Sequence, residues 1–394
     1  MTTAPPSQRV LSVDVARGVT IAFMILVNDP GDWAHVYAQL DHAVWNGWPL
    51  TDLVFPTFLF LMGASIIFSL QARIAKGESR ASLASHIVRR AIILFALGTF
   101  IALFPHFHWT HLRIFGVLTR IAVCYLFAGL ICLGTRRIAP LAAITATLLI
   151  GYWILMRFVP VPGLGTPTHE IPFMDQTRNL AAYLDRNFIA FTQRTIHAGR
   201  LYNNGVRDPE GLLSTLPSIA TVLLGSITGI IMRMSSLTQS TKRNIMGAGA
   251  VLFIIAGELW NLSFPINKNL WTSSYVLLAA GCSLLGLTLA YWLVDILRLQ
   301  ERSPIARAAL WPWLVFGSNA IVVYAVSDFL VEIFGNIHVQ DDGKTITVWG
   351  WIYNHGFSHG NSTEITSVAF AIAFVLLCFL PNWLLWHRRI FVKI

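Results

Sequence analysis

His42, in the stretch LDHAVWNGWPLTD, lies among polar and aromatic side chains directly before a long apolar run. An imidazole can take up a proton near neutral pH, and a neighbouring carboxylate can fix its tautomer. His42 has two such neighbours in the sequence, Asp41 and Asp52. A single histidine beside tryptophans is also typical of a membrane interface. The polar residues around His42 therefore make it a candidate catalytic residue. The alternative is an ordinary residue of the membrane interface.

Two pairs of charged residues fall where charge is costly. Asp14 and Arg17, in LSVDVARGVTIAF, are three residues apart on one face of an apolar segment. They could form a structural ion pair or line a polar cavity. Arg113 and Arg120, in LRIFGVLTRIAVCY, stand two helical turns apart on one face of another segment. Arginines so placed either snorkel to the membrane surface or hold a phosphate or carboxylate. The sequence leaves both alternatives open for each pair.

The histidines and cysteines give no metal site. The runs PHFHWTH and NHGFSH have spacings that could bind a metal, but no cysteine or pair of carboxylates accompanies them. All 4 cysteines fall inside apolar segments, where a thiol behaves as a small apolar group. We therefore predict neither a metal site nor a disulfide framework.

The composition is that of a polytopic membrane protein. Apolar residues make up 55% of the 394 and charged residues 12%, with a mean hydropathy of +0.62, which excludes a soluble domain. About ten apolar blocks are long enough to cross a hydrocarbon core of about 30 Å as helices, and a spanning segment must satisfy its own backbone groups. The blocks cover residues 11–28, 51–72, 85–104, 113–134, 138–158, 212–234, 243–262, 270–297, 309–334 and 363–386. We predict an all-α transmembrane helical bundle that forms a single domain over residues 1–394.

The basic residues predict the orientation. With the N-terminus in the cytoplasm, 17 of the 28 Lys and Arg residues fall on the cytoplasmic side and 8 on the other. Both termini are therefore predicted to be cytoplasmic. No cleavable signal pattern is apparent, so the first helix is expected to stay attached. The net charge of +9 fits this bias and contact with anionic lipid, and it needs no nucleic acid.

Three long connections then lie on the extracytoplasmic side, at residues 29–50, 159–211 and 335–362. Connections of this length are usually functional, and together they could roof a site. His42 lies in the first of them. Asn28 ends the helix before it, and Asp52 opens the helix after it, either as a helix cap or as a partner of the histidine.

The order of several motifs resembles the heparan-α-glucosaminide N-acetyltransferase family of transmembrane acetyltransferases, in a bacterial-type short form. The motifs are LSVDVARG, ILVN, DHAVWNGWPLTDLVFPTFLFLMG, RIFGVLTRIAVCY, DPEGLLSTLPSI and FPINKNLWTSSYVL, and the likeness runs from about residue 9 to residue 334. The resemblance implies that acetyl-CoA binds from the cytosol and that an amino sugar accepts the acetyl group on the far side. It also implies that His42 is catalytic and that Asn28 belongs to the same site.

The residues are consistent with this chemistry. His42 would act as the base that takes the amine proton. Asn28 or Asn46 would donate to the carbonyl oxygen of the tetrahedral intermediate, worth about 3 kcal/mol when preorganised. Asp52 or Asp41 would fix the histidine tautomer. The sequence does not decide whether His42 itself carries the acetyl group, and we favour direct transfer.

Acetyl-CoA is the one co-substrate expected, and its phosphates and long arm need cations and an apolar tunnel. The predicted CoA-binding residues are Arg17, Arg120, Asn267, Lys268 and Asn269. Lys268 falls on the extracytoplasmic side of the predicted topology, so a place at the cytosolic nucleotide end would contradict that topology. The predicted acceptor-binding residues are Asp14, Trp45, Asn46, Asp208 and Glu210.

Two other functions fit the same sequence. A transporter for an amino sugar could use His42, Trp45 and Trp48 to stack and orient its cargo. An acyltransferase could instead act on a cell-envelope glycan or lipid. Binding of acetyl-CoA and release of CoA would separate the transferases from the transporter. The expected location is the bacterial inner membrane, in contact with lipid, and a homodimer is compatible with the sequence.

Overall fold

The computed structural model describes residues 10–202 and 205–392, and nearly all regular structure within them is helical. The first helices are α1 (Leu11–Asn28), α2 (Leu50–Ala75), α3 (Arg80–Leu103), α4 (Val117–Gly134), α5 (Ile138–Phe158), α6 (Leu180–Ile196) and α7 (Thr215–Arg233). They are followed by α8 (Gln239–Asn261), α9 (Ser273–Ala290), α10 (Leu299–Arg302), α11 (Pro304–Ser318) and α12 (Ala320–Asn336). An antiparallel hairpin, β1 (His338–Asp341) and β2 (Lys344–Thr347), leads to α13 (Val348–Tyr353) and α14 (Glu364–His387). The predicted all-α bundle is confirmed.

Within the described residues, nine helices are long and apolar enough to cross a membrane. They are α1 to α5, α7, α8, α14 and α9 with its continuation to Arg302. α11 and α12 pass the same test only as a pair, with a bend of 78° between them. Two predicted blocks, 11–28 and 138–158, coincide with α1 and α5, and the ends of most others shift by a few residues. The count of nine or ten spans agrees with the prediction.

The prediction of one continuous span over residues 309–334 is wrong in detail, because the helix breaks at Asn319. Gly317 packs so closely on α1 that a Cβ there would lie 2.0 Å from the Asp14 carbonyl oxygen. The Gly317 carbonyl accepts hydrogen bonds from Arg17 Nε (2.9 Å) and Nη2 (2.6 Å). That carbonyl is therefore directed to a side chain of α1 at the point where an uninterrupted helix would use it in its own ladder.

α2 and α7 form the centre of the bundle, where glycines bring their backbones into contact. A Cβ on Gly63 would lie 1.9 Å from the Val222 carbonyl oxygen, and one on Gly225 would lie 1.8 Å from that of Phe60. Small residues allow such close packing of membrane helices. α2 is mostly buried, and its first turn, which carries Asp52, lies under the connections at one end of the bundle.

These connections bond to one another. Trp45, after α1, donates through Nε1 to the Met174 carbonyl between α5 and α6 at 3.0 Å. Gly47 donates to the Ile266 carbonyl between α8 and α9, also at 3.0 Å. Connections that follow α1, α5 and α8 therefore meet over the same end of the bundle, as a shared roof would require.

The orientation in the membrane can be tested with two cysteines. Gln239 and Gln340 are both exposed, and they lie at opposite ends in the predicted topology. We expect Gln340→Cys to react with an impermeant maleimide added to intact cells and Gln239→Cys to react only after permeabilisation, because Lys and Arg accumulate on the cytoplasmic side. The unchanged protein gives the background, since Cys124, Cys132 and Cys378 are buried and Cys282 is half-buried. The reverse labelling pattern would overturn the predicted orientation.

Candidate active site

His42 is held against the start of α2. The backbone N–H and the hydroxyl of Thr51 both donate to the Gln39 carbonyl at 3.2 Å, which folds the connection back onto the helix. His42 Nδ1 then lies 2.7 Å from Asp52 Oδ1. Asp52 Oδ2 accepts from the Ala43 N–H at 3.1 Å. One carboxylate therefore holds both the imidazole and the backbone beside it.

Asp52 is not the cap of α2, since Pro49 occupies that position. Its side chain is only 1% exposed, and the hydroxyl of Tyr275 donates to its backbone carbonyl. Asp41, the other candidate for fixing the imidazole, accepts from the His42 backbone N–H at 2.7 Å. The contact to the ring therefore belongs to Asp52.

Lys268 joins this pair. Its Nζ lies 3.2 Å from Asp52 Oδ1, 3.0 Å from His42 Nδ1 and 3.5 Å from His42 Nε2. The sequence assigns Lys268 to CoA, whereas in the structure it contacts the proposed base and its carboxylate. This location agrees with the predicted topology, which puts Lys268 and His42 on the same side.

Asn267 is a fully buried link between two connections. Its Nδ2 donates to the Trp45 carbonyl at 2.8 Å and to Asn46 Oδ1 at 3.1 Å, and its Oδ1 accepts from the Leu270 N–H at 2.8 Å. These bonds occupy both ends of the amide, so the geometry favours a structural role over the predicted contact with CoA. The same bonds position the neighbouring Lys268.

A cavity of about 780 Å³ opens beside His42. The three predicted catalytic residues, His42, Asn28 and Asp52, all line it, and so does Lys268. Other lining residues were not predicted to bind acceptor or CoA, and they include Asp29, Trp33, Tyr202, Arg207, Tyr324 and Asp328. Asp328 could have been noticed, because a carboxylate inside an apolar block marks a functional position by default. Burial and the nearby Asp328 raise the pKa of Asp29 well above its ordinary value.

One wall of this cavity is an arginine with two carboxylates. Arg113 donates to Asp208 through Nε (2.9 Å) and Nη2 (2.6 Å), and to Glu210 through Nη2 at 2.5 Å. Burial raises the pKa of Asp208 to about 6, against the effect of Arg113. Arg113 precedes α4, which begins at Val117, so the predicted helical face shared by Arg113 and Arg120 does not exist. Arg113 binds both carboxylates, and of the two only Glu210 lines the cavity together with Arg113.

The remaining predicted acceptor residues are less favourably placed. Trp45 and Asn46 are bonded into the roof, with the Trp45 ring 4.4 Å below the Arg207 guanidinium. Asn269, which was predicted to bind CoA, lines this same cavity and accepts from Arg207 at 3.0 Å. Asp14 lies fourteen residues before Asn28 on α1, which is about 21 Å along a helix. This distance does not favour its predicted place in the acceptor site beside His42.

Asp14 and Arg17 instead lie toward the opposite end of the bundle, joined by an ion pair of 2.6 Å. Arg17 lines a second cavity of about 260 Å³ together with Arg73, His86 and Arg90. Residues at the break between α11 and α12, from Gly317 to Ile321, also line this cavity. The second cavity is therefore rich in cationic side chains.

Arg120 is buried against the start of α7 and lines neither of these two cavities. It donates to Ser218 Oγ (3.1 Å), the Gly211 carbonyl (2.9 Å) and Ser214 Oγ (2.5 Å), and its guanidinium lies 5.2 Å from the Trp271 ring. A buried arginine needs such partners. This geometry favours a structural role for Arg120 over the predicted contact with CoA.

The apolar spans and the two cavities define a multi-pass membrane protein with a histidine–aspartate site under its roof. Residues 9–178 match the family described as heparan-alpha-glucosaminide N-acetyltransferase, catalytic. The human heparan-alpha-glucosaminide N-acetyltransferase is 29% identical over 433 residues, covering 99% of this chain and 60% of the human protein. The mouse protein of the same name is 29% identical over 371 residues, covering 83% of this chain and 54% of its own length.

These matches confirm the resemblance seen in the motifs: the chain is similar to the heparan-α-glucosaminide N-acetyltransferases. It spans about 60% of the length of the human protein. The region matched by the family contains Asn28, His42 and Asp52 but ends before Lys268.

Proposed function

We propose that this chain is a transmembrane acetyltransferase that moves an acetyl group from cytosolic acetyl-CoA to the amine of a glucosamine-type sugar on the extracytoplasmic side. The observation that carries the proposal is the contact of 2.7 Å between His42 and the buried Asp52 at the edge of a polar cavity. The names of the relatives support an acetyl donor and an amino-sugar acceptor. A bacterial inner membrane, bound lipid and a homodimer stay predictions.

In the proposed reaction, His42 moves one proton. Its Nδ1–H donates to Asp52, which leaves Nε2 with a free lone pair to take a proton from the amine as the nitrogen attacks the thioester carbon. The C–N bond forms, the C–S bond breaks, and the imidazolium returns the proton to the CoA sulfur. The products are an N-acetyl sugar and CoA thiol, so atoms and charge balance without a metal or a further reactant.

Asn28 is the best placed donor for the oxygen of the tetrahedral intermediate. It ends α1 and lines the same cavity as His42. A preorganised amide donor contributes about 3 kcal/mol to such an intermediate. Asn46, the alternative, is bonded to Asn267 in the roof.

The second cavity fits the phosphates of CoA. It offers Arg17, Arg73 and Arg90, and the first residues of α12, since the N-terminus of a helix favours anions. Arg90 Nε is buried and has no hydrogen-bond partner among the described residues. Both cavities lie between the same helices, α1, α2 and α12. The pantetheine arm would therefore pass along these helices toward His42.

Two adjacent arginines test this donor site. Arg90 lines the second cavity, whereas Arg89 is exposed beside it. We expect Arg90→Gln to weaken CoA binding by about 1.5 to 3 kcal/mol, the usual contribution of a hydrogen bond to a charged group, and Arg89→Gln to leave it unchanged. Calorimetry with CoA and with dephospho-CoA would measure both. Equal affinities in the two variants would remove this cavity from the donor site.

The activity itself is tested with purified protein in lipid nanodiscs, labelled acetyl-CoA and a panel of amino sugars. We expect release of CoA that depends on the acceptor and a labelled N-acetyl product. A protein that binds an amino sugar but neither binds acetyl-CoA nor releases CoA would be a transporter instead.

A further inference from the structure

The contact between Lys268, His42 and Asp52 raises a question about protons. Nδ1, Oδ1 and Nζ form a triangle with sides of 2.7, 3.0 and 3.2 Å. Nδ1 has one position in the ring plane, so it can donate to Asp52 or accept from Lys268 but cannot do both. The two choices leave opposite tautomers, and only the first leaves Nε2 free as a base.

The distances decide between them. An ammonium on the in-plane lone-pair axis of Nδ1 would lie much farther from Nε2 than from Nδ1, because that axis points away from the ring. Lys268 Nζ is instead almost equally far from both nitrogens, at 3.0 and 3.5 Å. It therefore lies beside the ring and not on the lone pair of Nδ1. Asp52 Oδ1 has two lone pairs and can accept from both Nδ1–H and Nζ.

The charges give this arrangement a function. Asp52 is 1% exposed, and a buried carboxylate stays ionised only beside a positive charge or several donors. Without Lys268, the nearest group able to become positive would be His42, and a histidine that is already protonated cannot act as a base. With Lys268 in place, its ammonium compensates the charge of Asp52 at 3.2 Å and opposes a second positive charge on the ring.

We propose that Lys268 is a positioning residue that keeps His42 neutral, with its proton on Nδ1, so that Nε2 is free to accept the proton of the amine. This inference rests on the proposed function for the identity of the amine. It differs from the sequence-based assignment of Lys268 to CoA.

Other charged groups near His42 set the background for any pH effect. Asp41 contacts its backbone N–H, and the same cavity is lined by Asp29, Arg113, Arg207, Glu210 and Asp328. All of these stay in place when Lys268 alone is replaced. A difference between variants therefore reports on Lys268.

The test compares Lys268→Met, which removes the charge, with Lys268→Arg, which keeps it. In Lys268→Met we expect the acidic limb of the kcat/KM profile to move up by about one pH unit or more, the usual effect of a charge at this distance. Turnover should be reduced at neutral pH and should recover to within a few-fold of the unchanged protein at higher pH. Lys268→Arg should restore the original profile. Lys268→Gln repeats the neutral substitution if the methionine variant does not fold.

A second readout does not depend on activity. The protein has 12 histidines, and the ¹⁵N resonances of His42 are those lost from a histidine-labelled sample in His42→Gln. At neutral pH we expect a neutral ring with the proton on Nδ1 in the unchanged protein and an imidazolium in Lys268→Met. An unchanged His42 spectrum and pH profile in Lys268→Met, with weaker binding of acetyl-CoA, would overturn the proposal and return Lys268 to the donor site. If no variant acetylates an amine but the spectra change as expected, the proposed function fails, and the effect of Lys268 on the protonation of His42 stands.

Discussion

Replacing His42 with Ala is expected to lower turnover by about 10²- to 10⁴-fold while acetyl-CoA still binds. This range is the usual contribution of a general base. The second cavity, which is proposed to hold the CoA phosphates, does not include His42, so donor affinity should change little. His42→Asn should be equally inactive, because an amide can form hydrogen bonds but cannot take up a proton near neutral pH. Steady-state kinetics and acetyl-CoA binding, measured on the same samples, separate the two effects.

His169→Ala is the matched control for this substitution. His169 is exposed in the connection between α5 and α6, so its loss should leave turnover within a few-fold. A His42→Ala protein that acetylates at nearly the original rate would remove His42 from the mechanism.

Asp52→Asn is expected to cost about as much, roughly 10²- to 10⁴-fold in kcat, with a small change in KM. The amide keeps the size of the carboxylate, but its nitrogen can donate to Nδ1 and so stabilise the tautomer with the proton on Nε2. It also removes the charge that would stabilise an imidazolium during the reaction. The ratio of kcat to KM effects measures this, since a loss of positioning alone should not weaken acceptor binding.

Asp41→Asn is the control for Asp52, because Asp41 is adjacent to His42 in the chain but contacts only its backbone N–H. We expect it to retain activity. If Asp41→Asn were the more damaging variant, the assignment of the two carboxylates would have to be exchanged.

Helix positions followed closely from the sequence where hydropathy alone determines them. The blocks predicted over residues 11–28 and 138–158 coincide with α1 and α5. The break at Asn319 could not be predicted in this way, because its cause lies in another helix. Arg17 binds the Gly317 carbonyl from a distance of 300 residues in the chain.

The candidate site could be predicted from the sequence less completely than the helices. His42 and Asp52 are ten residues apart, so a single motif suggested both. Lys268 is 226 residues from His42, and the pairing depends on how Asn267 bonds to the roof, which no local pattern reveals. Asn267, Lys268 and Asn269 are one polar run in the sequence. In the structure, Asn267 bonds to the roof and Lys268 contacts His42. The two residues differ in burial, and the hydropathy of the sequence does not show the burial of an individual residue.

The placement of both cavities between α1, α2 and α12 has a consequence for the energetics of the membrane. On the proposed route the anionic donor stays on the cytosolic side. The acetyl group leaves its thiolate behind and so carries one formal positive charge outward, and the proton that ends on the CoA sulfur carries one positive charge inward. An ammonium acceptor releases its other proton on its own side, so each turnover transfers no net charge. A voltage acts only on charge that crosses, at about 2.3 kcal/mol per elementary charge and 100 mV. The reaction should therefore be electroneutral, and in sealed vesicles its equilibrium should be independent of an imposed potassium diffusion potential.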